Sequence, residues 1–441
     1  MMRSTRLISM AAELLLAALL LAGSMAFGDE YFSERGFSID LPEGFDILES
    51  DGSSSFSFGS PDGAVLVDIV VYPASRFMSA KAGADDTARR LSGRGSFRAF
   101  EYGSHDAAIG ELGFGTGSSA LRGYGLFVND VQSPRGDYPA TSGSKPALYD
   151  LAVIAYAPAA SWPRYRDVVA SAIDGFSMDG RRAAPGPLGA SARAAIAGTA
   201  GSVAARKATA TIHFGAALVQ AEWRASEAAL AQDLVEREYR VLSAYASAPE
   251  LLDAAVARFY RMVFRDAAPS LDALALDLSA AWETGAWAGT PRSPTLAQPR
   301  IPAPGLGGTA VTGPRFGASA EPRAYAEALL SWVQGFRYER DPAGSDVVNP
   351  ISAAFEGRGD CDSRALVMAI LLRRENIRSI LMVSLEHEHA LAAVDAPGPG
   401  ARFPFGKRLW LVAETTATVG IGRIDASQAD PTDWIGVEFP D

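Results

Sequence analysis

Three side chains in the last third of the sequence, Cys361, His389 and Glu414, are of the types that carry out nucleophilic attack on a carbonyl group. Cys361 is the only cysteine in the 441-residue chain. A lone cysteine is most often a small buried hydrophobic residue. This one, however, follows Gly359 and Asp360 and begins an apolar helical pattern. A glycine permits a tight approach to a helix, and aspartate is a preferred N-cap residue.

This position predicts an unusually acidic thiol. The first turn of a helix has unsatisfied backbone amides and the positive end of the helix dipole, and both favour a thiolate. A histidinium facing the sulfur would strengthen the effect. We therefore expect Cys361 to be a nucleophile whose pKa lies below the ordinary cysteine value.

A thiolate nucleophile needs a base within hydrogen-bond reach and a third group that orients the base. His389 stands at the start of the strand-like run 390–394, and Glu414 follows the strand-like run 409–413. If these strands are adjacent, the three side chains meet. Gln334, upstream, is expected to donate its side-chain amide to an oxyanion, together with the backbone N–H of the cysteine.

A second histidine leaves an alternative for the base. His387 and His389 would point to the same face of a strand, and we prefer His389 because it directly precedes the strand and forms a His-Ala pair. The two histidines also raise the possibility of a metal site. However, His-Glu-His is not the helical His-Glu-x-x-His of zinc proteases, and a third ligand is not obvious. The sequence therefore predicts no metal and no other cofactor.

Together these motifs resemble the transglutaminase-like domains of the papain-type cysteine-enzyme superfamily. The shared marks are Gly-Asp-Cys opening a helix at 359–361, His-Ala opening a strand at 389–390, and an acid at the end of the next strand. Residues 332–341 and 414–422 look like the bacterial branch of that family. The acid is Glu414, where many relatives carry Asp.

The resemblance covers residues 322–441 and implies a papain-like fold with a Cys-His-acid triad. The implied reaction is acyl transfer, in which Cys361 attacks an amide carbonyl of a peptide or protein substrate and His389 protonates the leaving amine. Hydrolysis, as in a peptidase or amidase, is favoured over cross-linking because it needs no second substrate site. The rival hypothesis is a non-catalytic interaction protein that uses a degenerate transglutaminase-like fold as a scaffold.

The composition and the N-terminus indicate an exported globular protein. Hydrophobic residues make up 48% of the chain, and a formal net charge of −11 gives no electrostatic footprint for nucleic-acid binding. Residues 1–28 have the features of a signal peptide, with Arg3 and Arg6 before the apolar run 14–22. An uncleaved membrane anchor is the alternative. We expect a periplasmic or secreted protein with no transmembrane segment in the mature chain.

The whole sequence predicts an α+β protein built in several parts. Alternating apolar residues at 37–41 and 65–72 indicate strands, and the spacing of 162–173 indicates a helix. Together they predict an N-terminal α/β sandwich over residues 29–180, whose opening at 36–45 resembles the PsbP-like sandwich. Beyond it we expect an Ala/Gly-rich linker at 181–212, a helical connector at 213–287, a Pro/Gly-rich linker at 288–320 and the transglutaminase-like domain at 321–441.

Overall fold

The computed structural model describes residues 30–132, 148–179, 184–198, 206–288, 322–341 and 344–440. The signal peptide expected at 1–28 lies outside the described residues, and so does all but the first residue of the linker expected at 288–320. The described ranges form two units built around antiparallel sheets and packed with helices, which confirms the α+β class.

The N-terminal unit consists of short strands at its start and a large sheet. Its strands are β1 (Tyr31–Phe32), β2 (Ser38–Ile39), β3 (Asp46–Ser50), β4 (Ser55–Gly59), β5 (Leu66–Pro73), β6 (Arg94–Tyr102), β7 (His105–Phe114), β8 (Leu121–Gln132), β9 (Leu148–Pro158) and β10 (Phe176–Ser177), and its helices are α1 (Ala80–Arg90) and α2 (Trp162–Asp174). The seven-stranded sheet has the order β3-β4-β5-β9-β8-β7-β6, and a three-stranded sheet has the order β1-β2-β10.

The two faces of the seven-stranded sheet carry separate cores, because successive side chains of a strand point to opposite sides. On one face, Val67 and Ile69 of β5 pack in one core with Val169 and Ile173 of α2. On the other face, Phe127 of β8 packs in a smaller core with the alanines of α1. Helices on both faces give the sandwich that the strand pattern predicts, and β2, β5 and α2 coincide with the predicted elements.

The C-terminal unit contains a hairpin, six helices and a second sheet within the described ranges. Its strands are β11 (Ala208–Phe214), β12 (Ala217–Trp223), β13 (Ser379–Ser384), β14 (His389–Val394), β15 (Arg402–Phe405), β16 (Arg408–Ala413) and β17 (Ile435–Val437). Between the two units lies helix α3 (Pro187–Gly198), and the helices of the C-terminal unit are α4 (Ala225–Ser243), α5 (Pro249–Ala267), α6 (Asp272–Glu283), α7 (Pro322–Gln334), α8 (Pro350–Glu356) and α9 (Cys361–Arg374). The sheet is antiparallel with the order β15-β16-β14-β13-β17.

The helices expected as a connector belong to the same hydrophobic core as the C-terminal sheet. Phe264 of α5 and Leu278 of α6 are buried in one continuous cluster with Leu330 of α7, Leu366 of α9 and Ala392 of β14. A connector would have a core of its own or none. The structure therefore joins the helical region and the C-terminal segment into one unit, which differs from the division expected from the sequence.

The segment expected as a flexible linker at 181–212 also differs from expectation. Its alanine-rich stretch forms α3, in agreement with the high helix propensity of alanine, and Arg193 of this helix pairs with Asp266 at 2.6 Å. Its last residues begin β11, which pairs with β12 in a hairpin. Ile212 and Phe214 are buried while the residues between and beside them are not, so the strand alternation was present in the sequence but short.

Three arginines of α5 join the two units. Arg258 donates to the Ser171 hydroxyl at 2.8 Å and to the Asp40 backbone carbonyl at 2.8 Å. Arg261 pairs with the Asp40 carboxylate at 2.9 Å. Arg265 donates to two carbonyls that follow α2, each at 3.2 Å. Because residues spaced three and four apart lie on one face of a helix, α5 presents a continuous basic face to the sandwich.

We expect Arg258→Ala to lower the free energy of unfolding by about 3–5 kcal/mol, because it removes a cation from the buried carboxylates of Asp40 and Glu238. Chemical denaturation followed by circular dichroism measures the change. Arg240→Ala is the matched control, since its pair with Asp167 involves an arginine that is 52% exposed and should contribute at most about 1 kcal/mol. Equal losses in the two variants would contradict the importance of this buried cluster.

Candidate active site

The cysteine lies at the first residue of α9, as the sequence predicts. Asp360 caps the helix, and its carboxylate accepts from the Ser363 backbone N–H at 2.9 Å and from the Ser363 hydroxyl at 2.6 Å. Gly359 has a φ of +153°, and a Cβ at this position would lie 2.6 Å from the Cβ of Ser363. The glycine is therefore required for the close approach of the chain to the helix.

His389 and Glu414 meet at the ends of neighbouring strands. In the register of β14 and β16, Ala392 lies opposite Ala413, so Glu414 continues β16 toward the start of β14. The His389 Nε2 is 2.7 Å from the Glu414 Oε2. Because an ionised carboxylate can only accept, Nε2 carries the proton, and in the neutral ring Nδ1 is left with the lone pair that a base needs.

Several donors keep the Glu414 carboxylate ionised. Burial alone would raise its pKa, but the hydrogen bond and charge of His389 and two donors from Thr416 outweigh burial and lower the pKa to about 2. The Thr416 backbone N–H and hydroxyl lie 2.7 and 2.6 Å from the Glu414 Oε1. The arrangement fits a group that orients an imidazole and stabilises its protonated form.

The surroundings of the sulfur differ from the sequence expectation. The Cys361 side chain is 5% exposed, and burial together with Asp362 and Asp360 raises the pKa of its thiol, although a hydrogen bond from the Ala390 backbone N–H opposes the rise. The prediction of a lowered pKa is therefore wrong. The helix terminus favours the thiolate, but burial and two carboxylates in the same turn outweigh it.

The thiol is hydrogen-bonded to the backbone of the residue after His389 and not to the His389 imidazole. Ala390, whose N–H contacts the sulfur, directly follows His389. The thiol instead donates to the Asp362 carboxylate at 3.5 Å, and within the described part of the chain no hydrogen bond joins Cys361 to His389. Asp362 was missed by the sequence analysis, although its position next to the cysteine was a signal.

Gln334 does not occupy the role expected for it. Its Nε2 donates to the Glu414 backbone carbonyl at 2.8 Å and to the Val419 carbonyl at 2.9 Å, so both hydrogens of the amide are engaged. The side chain holds the segment after β16 and is not free to donate to an oxyanion. The oxyanion role of the Cys361 backbone N–H stays a prediction, because the first N–H of a helix has no acceptor within the helix.

A buried arginine holds the segments around the site. Arg364 donates to the carbonyls of Gly359 at 3.0 Å, Phe336 at 2.6 Å and Thr415 at 3.4 Å. These carbonyls come from the approach to α9, from the residues after α7 and from the residues after β16. One side chain therefore holds the segments that carry the cysteine and the glutamate. Its place one turn into the helix was the only hint of this role in the sequence.

His387 lies in the turn between β13 and β14, so it does not share a strand face with His389 as expected. Glu388, between the two, has a positive φ of 47°, which turns the chain. The His387 Nε2 is 3.3 Å from the Asp433 carboxylate, and the Trp434 ring lies 5.8 Å from His387 and 6.0 Å from His389. The choice of His389 as the base stays a prediction, supported by its contact with Glu414.

We expect Glu414 to contribute stability that depends on acid pH. Its folded-state pKa of about 2 lies below the ordinary value of 4.5, so this contribution is present above pH 4.5 and is lost as the pH falls toward 2. Its size is up to about 3 kcal/mol. Glu414→Gln should therefore show a shallower acid loss of stability than the wild type in denaturation curves taken across this range.

The exposed Glu386 in the β13–β14 turn offers a matched control. In Glu386→Gln, the free energy of unfolding should fall with acid pH as steeply as in the wild type. If Glu414→Gln followed the wild-type slope as well, the carboxylate would not be held in the ionised form by its neighbours.

Comparisons with known proteins give similarity but no function. No protein-family model matches the chain, and no curated protein matches it. Among solved structures, the chain is similar to cyanobacterial PsbP from Synechocystis, with 9% identity, a TM-score of 0.25 and coverage of 36% of this chain and 98% of that one.

Two further solved structures are similar at the same level. LpqN, involved in cell envelope biogenesis of Mycobacterium tuberculosis, shows 11% identity and a TM-score of 0.21 over 32% of this chain and 82% of that one. A protein from Bacteroides thetaiotaomicron shows 11% identity and a TM-score of 0.23 over 55% of this chain and 79% of that one. None of the three is described as transglutaminase-like. No helix in the described ranges has the length and apolarity needed to cross a membrane.

Proposed function

We propose that this chain is an exported cysteine enzyme of the transglutaminase-like kind, which acts on amide bonds of a peptide or protein by thiol acyl transfer. The observation that carries the proposal is the buried pair of His389 and Glu414, 2.7 Å apart, beside a cysteine at a helix N-terminus. A nucleophile, a base and a group that orients the base are the three parts that such a reaction needs.

The first step forms an acyl enzyme. His389 takes the thiol proton on Nδ1 while the Cys361 sulfur attacks the amide carbonyl carbon. The carbonyl oxygen becomes an oxyanion, which accepts from the backbone N–H of Cys361. His389 then gives its proton to the leaving nitrogen, the C–N bond breaks, and a thioester remains. Glu414 stabilises the imidazolium through both proton transfers and stays ionised.

The second step releases the acyl group. His389 takes a proton from water as the water oxygen attacks the thioester carbonyl, and the sulfur leaves with that proton to restore the thiol. An amine in place of water would give a cross-link by the same route. Hydrolysis is the preferred outcome of this proposal, because it requires no second binding site for an acceptor amine.

A non-catalytic scaffold is the second candidate, and the burial of the thiol favours it. Cys361 is 5% exposed and donates to Asp362, not to His389. A buried, hydrogen-bonded thiol of this kind is compatible with a protein that carries out no reaction. The two candidates differ in whether the sulfur can be acylated at all, so acylation of the thiol separates them.

We expect the purified protein to form a thioester with an activated ester such as p-nitrophenyl acetate, seen as one added acyl group in the intact mass. Hydroxylamine should remove this group. Cys361→Ser should gain no such hydroxylamine-sensitive group and should keep its thermal melting temperature, because serine is nearly isosteric. Since the chain has no other cysteine, this variant controls for acylation of surface amines. An equal amount of hydroxylamine-sensitive acyl group on the variant, or none on the wild type, would overturn the enzyme proposal.

The base is tested by a pair of histidine variants. We expect His389→Ala to slow thiol acylation by about 100-fold, in line with the contribution of general bases. His387→Ala is the matched control because it lies two residues away and pairs with Asp433, and it should stay within about twofold of wild type. A larger loss of acylation rate in the His387 variant would indicate that His387 is the base and would contradict the role assigned to Glu414.

A further inference from the structure

Asp362 lies between the thiol of Cys361 and the hydroxyl of Tyr260. One oxygen of its carboxylate, Oδ2, accepts from the sulfur at 3.5 Å, and the other, Oδ1, accepts from the Tyr260 hydroxyl. Tyr260 belongs to α5, far from α9 along the chain, and is buried. The carboxylate is thus fixed from outside its own helix, in an orientation that directs one oxygen at the sulfur.

The second hydrogen bond of the sulfur completes this geometry. The Ala390 backbone N–H donates to the sulfur, so the thiol accepts from β14 and donates to Asp362. The lone pair of the His389 imidazole, next to Ala390, receives no proton from the thiol in this arrangement. Asp362 therefore accepts the hydrogen bond that a base would have to receive from the thiol.

The charges around the sulfur favour the protonated thiol. Asp360 and Asp362 stand in its own helical turn, and both raise its pKa in addition to burial. Two cations interact with the thiol, Arg364 one turn along α9 and Arg340, and Arg340 is exposed and lies 3.4 Å from the Asp346 carboxylate. The other titratable groups facing the site are Tyr260 from α5, Tyr338 after α7, and the hydrogen-bonded pair of His389 and Glu414 from β14 and β16.

We propose that Asp362 is a positioning residue that holds the proton of Cys361 away from His389 in the resting protein, and that Tyr260 fixes Asp362 in this orientation. The inference rests on the proposed role of Cys361 as the nucleophile. The resting site then contains a neutral thiol and a neutral imidazole, not an ion pair. The thiolate forms when the thiol turns from Asp362 to His389, where the proton passes from the sulfur to Nδ1 and Asp362 remains a carboxylate.

The test is the rate of alkylation by iodoacetamide as a function of pH. Alkylation is chosen because it needs no substrate, and it is followed by the intact mass of the full chain. Asp362→Asn removes the negative charge and leaves one acceptor oxygen, which the Tyr260 hydroxyl occupies. The substitution should therefore raise the alkylation rate at pH 7 by about tenfold and move the midpoint to lower pH. Tyr260→Phe frees the carboxylate from its orientation and should give a smaller increase in the same direction. Asp395→Asn, which removes a half-exposed carboxylate paired with Arg408, is the control and should leave the profile unchanged.

An Asp362→Asn profile that overlays the wild type, or one that is slower, would overturn the inference. If Asp362→Asn does not fold, as judged by its thermal melt, Tyr260→Phe decides by the same criterion. Failure here is distinguishable from failure of the proposed function. A wild-type protein that forms no thioester disproves the enzyme proposal, whereas unchanged alkylation profiles disprove only the role of Asp362.

Discussion

The burial of α9 on all sides is the constraint on which the rest of the C-terminal unit depends. Each residue from Ala365 to Leu372 has 0% exposure, which is unusual for a helix, since most helices keep one face in water. A helix of this kind must be surrounded, and α6, α7 and α8 and the sheet strands β13 and β14 provide the surrounding layers. The position of Cys361 follows directly, because the start of a fully packed helix cannot shift without disturbing every neighbour.

Helix α5 contacts both the start of α9 and the N-terminal sandwich. Its Tyr260 contacts Asp362 beside the cysteine, while its Arg258, Arg261 and Arg265 contact the N-terminal sandwich. The same helix therefore takes part in the candidate active site and in the joint between the two units. The contacts of the arginines are mostly buried, so α5 connects the sandwich to the candidate active site through buried polar contacts.

The parts that the sequence could predict are those that local patterns determine. The pairing of His389 with Glu414 was predictable because each stands at the end of an apolar strand, and adjacent strand ends meet. The raised pKa of Cys361 was not, because the sequence shows a helix terminus but not the depth at which it is buried. Gln334 was assigned to an oxyanion because an amide can donate there, while its two carbonyl partners lie far along the chain. The shared core of the helical region and the sheet could not be predicted either, because the apolar face of a helix does not indicate which distant element packs on it.

The two hydrogen bonds of the lone thiol also bear on its chemical durability. Oxidation of cysteine to sulfenic acid proceeds through the thiolate and requires access for the oxidant. A buried sulfur that donates to a carboxylate meets neither condition, so we expect Cys361 to resist oxidation. In the proposed role of Asp362, resistance to oxidation and reactivity depend on the same side chain, so a substitution that speeds thiolate formation should also speed oxidation by peroxide.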